Sequence, residues 1–214
     1  MEKTLTAILL KATDKGEYDK SVRLFCAEEG IVDATMKGVR KPKAKLKFAS
    51  QPFALCEYEL AEKSGRYTVT GATRIEDTYD LCLNPSLFAT SAVLLEIAEK
   101  SYPSIDSKKM FVILIKALKT LLFFPEIADV VLVKFVQKVL SLSGFFAPPE
   151  RTDETPDTPS RFLSFVAYKS LDELVGVTLD GTLAKKCAMT LLSSFERVYE
   201  TTLASKKVYK DMTV

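Results

Sequence analysis

The chain has 214 residues, 47% of them apolar, enough for one or two packed domains and too apolar for a disordered chain. Its formal net charge is only +2, from 30 basic and 28 acidic residues, so any argument for a polyanionic partner must be local. There is no histidine, which removes the usual general base and the commonest metal ligand. The four cysteines, Cys26, Cys56, Cys82 and Cys187, form no CxxC pair, which excludes a zinc ribbon.

Five strands are predicted in the first 77 residues. TLTAILLKA at 4–12 opens the set. KSVRLFCA at 20–27 places Val22, Leu24 and Cys26 on one face, and Glu28-Glu29-Gly30 turns the chain. IVDATMKGV at 31–39 does the same with Val32, Ala34 and Met36. PFALCEYEL at 52–60 puts Ala54, Cys56, Tyr58 and Leu60 on one face and Glu57 and Glu59 on the other. Lys63-Ser64-Gly65 then turns into RYTVTGATRI at 66–75. Period-two alternation between glycine-bearing turns is antiparallel. Five such strands suit a small closed barrel, which has no free sheet edge.

After Asp80 the period changes to that of helices. Asn84 as N-cap and Pro85 at the first helical position start one helix, which ends before Pro103. A second is expected from Ser107 to Phe124, and a third from Pro125-Glu126 towards Gly144. Both are apolar on more than one face, which predicts a central place in a helical core. A last long helix starts near Thr182, with a stripe of Ala184, Cys187, Leu191, Phe195 and Tyr199. Between them, APPERTDETPDTPS at 147–160 holds four prolines and four carboxylates and reads as a loop. The pattern divides the chain into domains at 1–80 and 81–214, and 161–180 has no clear assignment.

The opening MEKTLTAILL carries an apolar patch too short for a signal segment. The longest apolar run, 111–124, is interrupted by Lys116 and Lys119 and falls short of the ~18–20 residues a membrane span needs. The cysteines sit among apolar residues and are expected to be reduced core packing. A soluble, intracellular protein without membrane association is expected.

The stretch MKGVRKPKAKLKF at 36–48 departs from this mixed-charge background. It holds Lys37, Arg40, Lys41, Lys43, Lys45 and Lys47, and no carboxylate occurs from Ala34 to Cys56. Gly38 lets the backbone leave the preceding strand, and Pro42 keeps the segment out of a ladder. The cations therefore belong to an exposed loop or a barrel rim. Phe48 and Phe53 close the segment, and nearby strands carry Phe25, Tyr58 and Tyr67. Cations beside aromatic rings are what single-stranded nucleic acid needs. The alternative is a solvated loop that keeps the rim soluble and blocks edge pairing. Charge alone does not choose between them, and each aromatic has a competing role as core.

Five landmarks resemble the N-terminal domain of the RecO family of DNA repair proteins. In order they are Leu10-Lys11, Gly16-Glu17-Tyr18-Asp19, Glu28-Glu29-Gly30, Lys37-Gly38-Val39-Arg40 and Gln51-Pro52-Phe53. LLEI at 94–97 and GFFAPP at 144–149 fit the family's helical domain more weakly. Where many members carry a four-cysteine zinc element, this chain has the acidic, proline-rich loop.

The resemblance implies an α+β protein: an OB-fold barrel followed by an all-helical C-terminal domain without a zinc ribbon. It implies a mediator that binds single- and double-stranded DNA, anneals complementary strands, and with RecR helps load RecA onto DNA coated by single-strand-binding protein. A cytoplasmic, nucleoid-associated place follows. Lys37 and Arg40 match the family's DNA-binding loop positions; Lys41, Lys43, Lys45 and Lys47 follow by charge and proximity. The tail of single-strand-binding protein would suit the lysine-rich second and third helices, with Lys109, Lys116, Lys119, Lys134 and Lys138 as candidates. A non-enzymatic adaptor with a solvated basic loop is the competing reading. No catalytic residue, metal or cofactor is predicted, and Glu57 and Glu59 are read as solvated.

Overall fold

The computed structural model describes residues 2–151 and 156–212. The chain divides into two compact units. One comprises the residues up to Leu83 together with Ser107–Val112; the other comprises Asn84–Asp106 and the residues from Ile113 onward.

The first unit is a closed five-stranded barrel. Its strands are β1 (Glu2–Lys15), β2 (Asp19–Cys26), β3 (Gly30–Met36), β4 (Leu55–Lys63) and β5 (Arg66–Glu76). Their order around the barrel is β1-β2-β3-β5-β4, with β4 returning to β1. All pairs are antiparallel except the short parallel β3–β5 contact that closes it, Ala34 with Tyr67 and Thr35 with Thr68. This is the OB-like way of removing sheet edges.

The alternation predicted from sequence places the core. Val22, Leu24, Cys26, Val32, Ala34, Met36, Cys56, Tyr58 and Leu60 form one buried cluster with Leu5, Ala7 and Leu9. Glu57 and Glu59 face solvent. β1 runs three residues beyond its predicted end, and a register shift between Leu9 and Lys11 explains why. A bulge inserts one residue and breaks the alternation that marks a strand. Lys37 and Val39, expected at the end of the third strand, lie instead in turns. Phe53, expected in the fourth, lies before it with φ of 62°. A short helix, α1 (Asp80–Leu83), completes the sequence-contiguous part of this unit.

The outer face of the sheet is not all solvated. Ile8, Phe25 and Ile31 lie side by side across β1, β2 and β3, and Ile8 and Phe25 are fully buried. Phe111, which belongs to this unit, meets Phe25 with ring centroids 6.1 Å apart.

The remaining elements are helical: α2 (Pro85–Ser101), α3 (Ser107–Phe123), α4 (Ala128–Leu142), α5 (Pro159–Tyr168), α6 (Leu171–Leu174), α7 (Gly181–Val198) and α8 (Ala204–Met212). Asn84 caps α2 as expected, its side chain accepting from the amides of Ser86 and Leu87 at 2.9 and 3.2 Å. α4 is the centre of the helical unit, packing against α2, α5 and α7. α3 does not share that place: Val112 and Phe123 are 57% and 63% exposed, because its buried residues Leu114, Ala117, Leu118 and Leu121 fall on one face only. The unassigned 161–180 region contains α5 and α6. α5 opens with Thr158 as N-cap and Pro159, the same signal as Asn84-Pro85. Of the predicted loop at 147–160, residues 152–155 lie outside the described residues, 147–151 carry no regular structure, and the last two residues belong to α5.

Cys26, Cys56 and Cys187 are buried, while Cys82 is half-buried, and all are free thiols. Burial pushes all four thiols up in pKa. Among the described residues no group of three or more His, Cys, Asp or Glu could hold a metal ion. None of the described helices is long and apolar enough to cross a membrane.

α8 is fixed at both ends. Glu96 accepts from the Ala204 and Ser205 amides at 3.0 and 2.8 Å, and the buried Tyr209 hydroxyl donates to Asp129 at 2.5 Å. Burial raises the Asp129 carboxyl pKa, outweighing the Tyr209 hydrogen bond and Lys185, which lower it. The folded state thus holds this proton more tightly than the unfolded chain does. Its contribution to stability falls as pH rises from the unfolded carboxylate value through the folded one. Asp129→Asn keeps an acceptor for Tyr209 and deletes the charge. The variant's urea midpoint should therefore gain on the parent as pH rises through and above the ordinary carboxylate range. A gap that narrows over that range would contradict the assignment.

Candidate nucleic-acid interface

The basic segment leaves β3 through Gly38, whose φ of 63° is a left-handed conformation that suits glycine. It then winds in successive turns, with the Lys41 amide donating to the Gly38 carbonyl and the Ala44 amide to the Lys41 carbonyl, both at 3.1 Å. A short 3-10 turn, Lys47–Ser50, ends it. Val39 is buried, and Leu46 and Phe48 pack partly against the barrel core. The buried Tyr58 hydroxyl donates to the Ala49 carbonyl at 2.8 Å, pinning the far end. Because these anchors point inward, the residues between them point out. Lys37, Arg40, Lys41, Lys43, Lys45 and Lys47 are all exposed.

The near end is pinned to the turn between β1 and β2. The Gly38 amide donates to the Asp19 carboxylate at 2.8 Å and the Arg40 amide to the Tyr18 carbonyl at 2.9 Å. The Arg40 guanidinium donates to the Gly16 carbonyl and pairs with Asp14, each at 3.0 Å. Arg40, one of the two residues expected nearest a phosphate, is thus already engaged with a carboxylate. The spacing of 26 positions between them hides this from a local reading. The five lysines differ: among the described residues, none forms an ion pair with a carboxylate.

Three further cations stand on the adjoining outer face of the sheet and were not anticipated. Lys11 and Arg23 lie side by side with Asp33 across β1, β2 and β3. Arg23 is held by Asp33 through two contacts of 2.8 and 3.0 Å, while Lys11 is exposed. Lys15 donates to the Thr35 hydroxyl at 3.1 Å. The alternation of Lys11, Thr13 and Lys15 was their signal, once β1 is carried past the bulge.

The aromatic candidates sort clearly. Phe25, Phe53 and Tyr58 are buried and offer no stacking surface. Tyr67 lies under the Lys3 ammonium, 4.0 Å from the ring centroid. Phe48 has the Arg74 guanidinium 5.2 Å from its centroid. Tyr18, which was not among the candidates, is 45% exposed.

Comparison with known proteins bears on the same region. Residues 1–77 match the family model described as Recombination protein O N terminal. A DNA repair protein RecO of Heliobacterium modesticaldum is 28% identical over 139 residues, covering 65% of this chain and 50% of that protein. The protein of that name from Desulfitobacterium hafniense is 30% identical over 144 residues, with the same coverage. One from an Anaeromyxobacter species reaches 41% over 61 residues, 28% of this chain and 24% of its own length.

The first 77 residues carry a RecO N-terminal domain.

The aligned part spans about half the length of the first two RecO relatives. The family model spans all five strands and the whole basic segment, so this similarity to RecO includes the unit that carries the cations. The helical unit holds a second feature. A groove of about 450 Å³ is lined by Lys116, Lys134 and Lys138 beside apolar Ala117, Phe135 and Leu171. Two of the five lysines suggested by sequence, Lys109 and Lys119, do not line it. Lys134 donates to the Val166 and Ala167 carbonyls at 3.0 and 2.8 Å, closing the end of α5. Burial, then the charge of Lys138, lowers its pKa. Lys116 pairs with Asp172 at 2.6 Å.

Proposed function

We propose that this chain is a non-catalytic RecO-type DNA repair and recombination mediator whose barrel grips the phosphate backbone of single- and double-stranded DNA. In this reading it anneals complementary strands and, with RecR, helps load RecA onto DNA coated by single-strand-binding protein in the cytoplasm. The observation that carries it is the row of lysines, without a carboxylate partner among the described residues, turned outward by the apolar anchors of the loop on a barrel that matches the RecO N-terminal model. Phosphate is a sequence-independent target, so contacts of this kind position the nucleic acid without reading it. Neutralised strands repel one another less, which favours their pairing.

The barrel and helical parts would act as domains 1–80 and 81–214. The groove beside Lys138 supports a second contact in this scheme. It combines cations with apolar surface, which suits an acidic tail with an aromatic end such as that of single-strand-binding protein. Lys138 is the lysine to test there, since Lys134 and Lys116 already have partners within the protein.

Annealing tests the proposal. The full chain should accelerate pairing of two complementary oligonucleotides at low salt, read by fluorescence quenching of end labels, and lose the effect as salt rises. Binding of RecR or of the acidic tail with no interaction with either strand would favour the adaptor reading instead.

A further inference from the structure

Tyr18 sits at the turn between β1 and β2 with 45% of its surface open to solvent. Isolated exposed apolar residues are ordinary. What sets this one apart is how firmly its surroundings are held and what lies beside it. Four contacts tie residues 14–19 to residues 38–40. Asp19 accepts from the Gly38 amide, Tyr18 from the Arg40 amide, Gly16 from the Arg40 guanidinium, and Asp14 pairs with that same guanidinium. The turn is therefore part of the basic segment's frame.

The Lys41 ammonium lies 5.3 Å from the centroid of the Tyr18 ring. An aromatic ring attracts a cation over its face and can still offer surface to another flat group. A hydrogen bond with Glu17, then slight burial, holds the phenol pKa above its usual value, so the ring is uncharged near neutral pH. Beyond Lys41 come Lys43, Lys45 and Lys47, all exposed. A flat ring at the head of a row of cations is the arrangement that one unpaired base and its following phosphates require. Bases inside a duplex are stacked on each other and do not present such a face.

We propose that Tyr18 stacks on an unpaired base of single-stranded nucleic acid while Lys41 and the lysines after it neutralise the adjoining phosphates. Tyr18 then sets a preference for single strands over duplex. This rests on the phosphate-binding role given above to the basic loop. Arg40 acts as a positioning residue, holding the ring and the loop in one frame.

The chain has no tryptophan, so Tyr18→Trp places a lone indole at the site. Its emission should be quenched by a single-stranded oligonucleotide and unchanged by an abasic strand carrying the same number of phosphates, although labelled versions of both bind by anisotropy. Tyr18→Ala should weaken binding of the base-bearing strand by about tenfold and leave the abasic strand unaffected. Tyr18→Phe should behave as the parent. Equal quenching by both strands, or equal loss of both in Tyr18→Ala, would overturn the stacking assignment while leaving the loop's role intact. If the parent binds neither strand, the phosphate-binding reading fails and the stacking proposal with it.

Discussion

Phe25→Ala should lower the stability of the barrel unit by about 3–5 kcal/mol, the usual cost of truncating a fully buried phenylalanine. Phe25 is fully buried on the outer face of β2, beside Ile8 and Ile31 and against Phe111. Removing the ring deletes its buried apolar area and leaves a cavity between a sheet and a helical turn, neither of which collapses easily. Phe25→Leu fills most of that space and should cost less than about 1.5 kcal/mol. Urea denaturation followed by circular dichroism gives both numbers. DNA affinity per folded molecule should stay unchanged in each. This separates the ring's packing role from the stacking role that its position beside a basic segment invites. Unchanged stability with lost DNA affinity would show that Phe25 meets the nucleic acid after all.

The barrel is legible in the sequence because one face of each strand is buried and most of the other is wet. Val22-Leu24-Cys26 and Cys56-Tyr58-Leu60 alternate for that reason, and all six lie inside. The second half of β1 is not legible, because the bulge between Leu9 and Lys11 shifts the pattern and few apolar residues follow it. α8 was missed for a different reason. Three lysines and an aspartate interrupt its apolar residues, and Tyr209 is its one buried side chain. Its stability comes from Glu96 and Asp129, more than 70 positions away. The candidate site divides the same way. The run of cations and the exit at Gly38 are local features that the sequence displays. The engagement of Arg40 by Asp14 and the placing of Tyr18 beside Lys41 depend on two turns meeting in space. Short-range patterns carry no information about such a meeting.

The most direct test removes four of the five loop lysines that form no ion pair with a carboxylate among the described residues, and asks whether the salt dependence goes with them. Lys41, Lys43, Lys45 and Lys47 are exposed, so replacing all four with Ala should leave the fold intact, each change staying within about 0.5 kcal/mol. Each phosphate contact on a single strand contributes roughly −0.7 to the slope of log affinity against log salt, so four contribute about −2.8. Those contacts alone cost the parent about 50-fold in affinity between about 50 and 200 mM salt. The control is Lys207→Ala with Lys210→Ala, two exposed lysines on α8. Fluorescence anisotropy of a labelled single-stranded oligonucleotide, titrated across that salt range, reads all three proteins. The account predicts a slope flattened by about 2.8 in the fourfold variant and a slope close to the parent's in the control. A fourfold variant that stays folded and keeps the parent's affinity and slope, or a control that loses as much per charge removed, would contradict it.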